Sequence, residues 1–213
     1  LLQAFTASLL LITISELGDK TFFIAVILSM RYNHRIVFSS VLTALALMTV
    51  LSVLLGQAMA LLPKAYTHYA AIALFLIFGI KLIIDAIRMS PTATEEVVKE
   101  AEEAVAEQDH QIALPIFGKI LARYPQIGIW IQAFVMTFLA EWGDRTQIST
   151  IALAAANDPV FVTLGAILGH GICTVIAVIG GRLVAGRISE RVITGVGGVL
   201  FLIFGITAYF NPQ

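Results

Sequence analysis

Apolar residues fill this chain in six long blocks separated by short polar turns. The blocks lie at about 4–29, 36–62, 69–90, 126–156, 160–185 and 191–211, each close to or beyond the roughly 20 residues that cross a hydrocarbon core. Polar turns at Arg31 to Arg35, Pro63 to His68 and Asn157-Asp158-Pro159 divide neighbouring blocks. Pro159 suits the start of a helix, where its missing N–H leaves no bond unmade. The pattern predicts an all-α membrane protein with six transmembrane helices. Only the first and fourth blocks carry acidic residues well inside them.

One connection is different. Between 91 and 124, Glu95, Glu96, Glu100, Glu102, Glu103, Glu107 and Asp109 meet only Lys99, Lys119 and Arg123. Val97, Val98, Ala101, Ala104 and Val105 form a weak helical stripe there. We read 91–124 as an acidic, solvated cytosolic linker with a short helix, joining a first unit at 1–90 to a second at 125–213. A cation-collecting arm is the sharper reading of the same acids. Lys and Arg favour cytosolic loops. Arg31 and Arg35, then Lys81, Arg88, Lys99, Lys119 and Arg123, then Arg182, Arg187 and Arg191 all fall on one side, against Lys64 alone on the other. Both termini are therefore expected outside the cytosol.

The two units repeat one another. Glu16-Leu17-Gly18-Asp19-Lys20-Thr21 returns 125 residues later as Glu141-Trp142-Gly143-Asp144-Arg145-Thr146. At the same offset Thr49, Val50, Val53 and Gly56 meet Thr174, Val175, Val178 and Gly181; one residue further on, at 126, the run Leu74 to Ile80 recurs as Leu200 to Ile206. Three blocks per unit is an odd number, so the second unit enters the membrane from the opposite side. The expected architecture is two inverted three-helix repeats, with helices 1 and 4 interrupted at the motif glycines; transporters of this design bind substrate near the midplane, at the repeat interface.

Composition narrows the chemistry. With 59% hydrophobic and 13% charged residues, the chain is far more apolar than a soluble domain, and its formal net charge of −1 offers no basic footprint for nucleic acid. The lipid bilayer is the expected surrounding. Cys173 is the only cysteine, so neither an intrachain disulfide nor a paired-thiol metal site is available.

Carboxylates inside a bilayer are expensive and usually carry function. On a helix Glu16, Asp19 and Lys20 share one face, as do Glu141, Asp144 and Arg145. Together with the Thr21 and Thr146 hydroxyls, the four acids form an oxygen-rich cage suited to hard divalent ions such as Ca²⁺, Mn²⁺ or Mg²⁺. Lys20 and Arg145 reduce the charge of the four acids to −2, which one divalent ion or two protons would neutralise. Ion and protons should then compete, the requirement for exchange, at roughly two protons per ion. Simple ion-pair staples would need one acid per base, whereas each motif has two. Weaker candidates are His170, as a proton relay or ligand against the more common hydrogen-bonded structural histidine, and Gln57 and Gln147, which could equally bond a neighbouring helix.

Paired motifs of this form in a six-span duplicated chain resemble the Golgi, thylakoid and bacterial manganese/calcium cation-proton exchangers, and both copies match at every position. The resemblance implies export of Mn²⁺, and in some members Ca²⁺, from the cytosol against H⁺ as counter-ion, with no resident cofactor. It makes Glu16, Asp19, Glu141 and Asp144 the metal- and proton-binding acids and Thr21 and Thr146 supporting ligands. The chain looks most like a cyanobacterial or plastid-type member, in a bacterial plasma membrane or a thylakoid rather than the Golgi; a homo-oligomer is compatible with it. Two rivals stand beside this reading. An intramembrane aspartyl protease would use Asp19 and Asp144, but residues 16 and 141 are Glu where its motif has Gly, and a base beside each Asp opposes a shared proton. A non-transporting membrane assembly factor is the other.

Overall fold

The computed structural model describes residues 1–61, 63–90, 92–111, 123–180 and 189–210. Lys119, Arg182, Arg187 and Gly181 lie outside the described residues, as do the side chains of Lys64 and Asp109. Every described element is a helix: α1 Leu2–Glu16, α2 Lys20–Arg31, α3 His34–Met59, α4 Lys64–Arg88, α5 Ala93–Gln111, α6 Pro125–Ala140, α7 Arg145–Ala156, α8 Pro159–Val175 and α9 Glu190–Phe210. A π-helical turn, Ile176–Gly180, continues α8.

Local sequence sets several of these boundaries. The Asn33 side chain accepts from the Arg35 N–H at 2.9 Å and opens α3. Asp158 accepts from the Val160 and Phe161 amides at 3.0 and 3.2 Å, with Pro159 at the first helical position, so α8 starts where the proline predicts. Among the described residues, four helices are long and apolar enough to cross a membrane: α3, the Tyr66–Arg88 part of α4, Pro159–Gly180 and α9. The first and fourth apolar blocks are each broken, into α1 and α2 and into α6 and α7, at the repeated motif.

The outer faces of these helices are apolar. Val160, Leu164, Leu168, Ile172, Val175 and Ile179 on α8, and Val192, Val196, Val199, Ile203 and Ile206 on α9, recur at helical spacing and are exposed. Soluble monomers rarely show apolar surface of this extent. Together with the four long apolar helices, it marks an integral membrane protein.

Inside, α4 packs along α9, α1 along α8, and α3 touches α6, α7 and α8. The α4–α9 approach is close enough that a side chain at Gly198 would sit 3.0 Å from the Gly79 carbonyl oxygen and 2.9 Å from Ile83. Buried apolar residues divide into two clusters. One joins Phe22, Phe23, Ile24 and Leu28 of α2 to Ala133 and Met136 of α6, Val37 and Val41 of α3, and Val178. The other joins Leu11 and Ile12 of α1 to Leu153 and Ala154 of α7, Val162 of α8, and Phe75 and Phe201. Along the chain each motif joins a helix of one cluster to a helix of the other, α1 to α2 and α6 to α7.

The acidic connection does not run free of the bundle. Along α5, Ala101 and Val105 are fully buried in the α2 cluster, while Glu95, Glu96, Glu100, Glu102, Glu103 and Glu107 face out. The weak apolar stripe thus docks the helix and leaves its acidic face solvated. Glu100 reaches Lys20 at 3.8 Å, and the Glu190 N–H donates to Thr94 Oγ1 at 3.2 Å.

Candidate functional site

Each motif breaks its helix in the same way. α1 ends on Glu16, Gly18 takes φ +79°, and Asp19 stands at the N-cap of α2; α6 ends just before Glu141, Gly143 takes φ +83°, and Asp144 stands at the N-cap of α7. Among the described residues only these two glycines have positive φ, the region a Cβ disfavours. At each break the turn closes on the glutamate carbonyl, with Asp19 N–H donating to Glu16 O and Asp144 N–H to Glu141 O, both at 3.3 Å. The C-terminal ends of α1 and α6 also carry the negative pole of the helix dipole, which attracts a cation.

The carboxylates converge. Glu16, Glu141 and Asp144 each place an oxygen within 4.8 Å of the other two, a spacing that can hold a metal ion. Glu16 and Glu141 are 2% exposed, while Asp144 is half-buried. One oxygen of each glutamate, Oε1, has no hydrogen-bond partner. A buried polar atom left unpaired is costly, so these two oxygens are poised for a ligand.

The two copies of the motif then diverge. Asp144 commits its oxygens to its own turn, accepting from Thr146 N at 2.9 Å, Thr146 Oγ1 at 2.6 Å and Gln147 N at 2.8 Å. Thr146 Oγ1 also lies 3.4 Å from Glu141 Oε2. Asp19 makes no side-chain cap and instead meets Arg145 of the other unit, whose Nη2 lies 3.5 Å away and donates to the Ser15 carbonyl at 3.1 Å. Arg145 therefore clamps the second motif onto the first. Lys20 does not turn inward; it pairs with Glu100 on α5, half exposed. Thr21 lines a small cavity with Glu16, and Thr146 a matching one with Glu141.

The weaker candidates separate. His170 is buried with Nδ1 3.9 Å from Glu16 Oε1, beside the acids. Gln147 lies at the site: its Oε1 accepts the Gly143 N–H at 2.7 Å and its Nε2 points to Met48 Sδ at 2.9 Å. Gln57 lies elsewhere, donating to the Ala154 carbonyl at 2.6 Å and joining α3 to α7. Met48, Thr49, Ser52 and Thr150 around Glu141, and Cys173 and Thr174 around Glu16, are cavity residues that motif reading passes over. The repeat offset is the signal that finds them, since it aligns Met48 with Cys173 and Thr49 with Thr174.

A family model described as the divalent cation/proton antiporter GDT1 matches residues 4–90 and 129–212, both units and little of the connection. A GDT1-like protein of Synechocystis is 55% identical over 99% of this chain and 98% of its own length. GDT1-like protein 3 of indica rice is 43% identical over 100% of this chain and 75% of its own length. The yeast protein named divalent cation/proton antiporter GDT1 is 41% identical over 96% of this chain and 82% of its own length. No solved structure matches.

Proposed function

Because the chain belongs to the divalent cation/proton antiporter family GDT1, and so is a transporter rather than an enzyme, we propose that it exports Mn²⁺, and Ca²⁺ where offered, from the cytosol in exchange for protons. Membership in an antiporter family removes the protease reading. The observation that carries the proposal is the convergence of Glu16, Glu141 and Asp144 within 4.8 Å, at helix ends contributed by both units.

Ion and protons compete there by charge. With Lys20 drawn to Glu100, the four acids face Arg145 alone, a net of three negative charges when all are ionised. A divalent ion with one retained proton neutralises that group, and so do three protons. The difference between the two loaded states is roughly two protons per ion, because uncompensated charge is disfavoured in a water-poor site. This ratio does not depend on where Lys20 points.

The architecture we propose is six spans in two inverted repeats, each broken pair counting as one span. Its support is the pairing of α1 with α7 in one apolar cluster and α2 with α6 in the other. That arrangement follows if the first and fourth spans run in opposite directions. Exchange then proceeds by alternating access around a midplane site. In this reading both termini are non-cytosolic, and the membrane is a bacterial plasma membrane or a thylakoid.

The test is uptake of Mn²⁺ and of Ca²⁺ into proteoliposomes under a pH gradient, in wild type and Glu141→Gln. Uptake of both ions by wild type and of neither by the variant supports one shared carboxylate site. A wild type that moves neither ion, in vesicles holding folded protein, would leave the assembly-factor reading instead.

A further inference from the structure

An oxygen cage alone does not separate Mn²⁺ from Ca²⁺, since carboxylates, carbonyls and hydroxyls suit both. The donor set changes when the cavity walls are included. Met48 of α3 lines the same small cavity as Glu141, Thr146 and Gln147, a space of ≈ 10 Å³, about the room one water-sized occupant needs. Its thioether is held in place. Gln147, whose Oε1 is fixed by the Gly143 N–H of the motif turn, directs Nε2 onto Met48 Sδ at 2.9 Å. A sulfur is thus tied to the backbone of the helix break that presents Glu141.

The second unit repeats the placement. At the 125-residue offset Met48 corresponds to Cys173 on α8, and Cys173 lines the cavity that contains Glu16. Its thiol donates to the Thr13 carbonyl at 3.2 Å, which uses the proton and leaves the sulfur lone pairs uncommitted. One helical turn earlier the matched pair is Leu45 and His170, which share no chemistry, whereas Thr49 and Thr174, the pair that follows, are identical. One sulfur therefore flanks each of the two buried glutamates, and each of those glutamates has an oxygen without a partner.

Sulfur donors favour transition ions, while Ca²⁺ takes six to eight oxygens at longer distances. We propose that the Met48 thioether, aided by Cys173 at the repeat-related position, contacts the transported ion and sets its preference for Mn²⁺ over Ca²⁺. The proposal rests on the exchange reading above and specifies which residues of that site choose the ion.

The experiment measures Mn²⁺ and Ca²⁺ binding by competition in detergent and exchange of each ion in proteoliposomes, for wild type, Met48→Leu, Met48→Gln and Cys173→Ser. Met48→Leu conserves volume and removes the donor, which cores usually tolerate. It should lower the Mn²⁺:Ca²⁺ preference about tenfold, equivalent to ~1.4 kcal/mol, while Ca²⁺ binding persists as the sign of intact folding. Met48→Gln, which substitutes an oxygen donor, should shift preference further toward Ca²⁺, and Cys173→Ser should shift it the same way by less. A structural role for Met48 would weaken both ions together and leave the ratio alone. If wild type exchanges both ions and the Met48 variants keep its ratio, the inference is overturned and the exchange reading survives; if wild type exchanges neither ion, both fall.

Discussion

Replacing Gly143 by Ala isolates what the helix break requires. Gly143 holds φ +83°, and a Cβ built there would meet nothing within 4 Å, so crowding contributes nothing. The left-handed region costs an L-residue about 1–2 kcal/mol, and the reduced freedom of the unfolded chain returns about 0.4–1 kcal/mol. The net expectation is a loss of about 1 kcal/mol, roughly a fivefold change in the folding equilibrium. Gly197 supplies the control. It lies within α9 without a positive φ, and a Cβ there also meets nothing within 4 Å, so Ala should stabilise by about 0.8–1 kcal/mol through helix propensity. The same substitution thus has opposite signs at two uncrowded glycines. Equilibrium unfolding in detergent measures both, and ion exchange should fall only in Gly143→Ala, because that turn positions Glu141, Asp144 and Gln147. A Gly143→Ala protein as stable and as active as wild type would refute the reasoning.

Four further outcomes are expected. Arg145→Gln, compared with Asp19→Asn and the double variant, should show a coupling of about 1–2 kcal/mol by chemical denaturation, between exposed and buried pairs, since the partners are 24% and 33% exposed; additive effects would remove the clamp between units. Mn²⁺ at 100 times its dissociation constant should stabilise wild type by about 2.7 kcal/mol and Glu141→Gln far less, read as a shift in unfolding midpoint. Glu100→Gln should change stability by under ~1 kcal/mol, because its pair with Lys20 is exposed, whereas Val105→Asp puts a charge into a fully buried position and should make α5 sensitive to limited proteolysis.

The broken helices are legible in the sequence because a glycine stands between two acids in each copy, and glycine enters the left-handed region without a Cβ penalty. The apolar blocks likewise announce helices, and Pro159 its own helix start. The seat of α5 is less legible: the stripe at Val97, Val98, Ala101, Ala104 and Val105 indicates a helix, but a spacing argument does not say that it docks on α2. For the same reason the outward turn of Lys20 toward Glu100 is invisible, since it depends on how two distant helices register. The unequal duties of Asp19 and Asp144 are hidden too. Identical motif positions give identical local geometry, and only the packing of the units decides that Asp144 caps its own helix while Asp19 meets Arg145. Met48 and Cys173 are readable only after the 125-residue register is carried past the motif into α3 and α8.

The most direct test of competition at the carboxylates is proton release. Mn²⁺ is added to the purified protein in weakly buffered detergent solution and the pH change recorded, in wild type and in Glu16→Gln. Release of roughly two protons per bound ion, reduced in the variant, is the predicted result. Stoichiometric Mn²⁺ binding with no proton released would contradict the account.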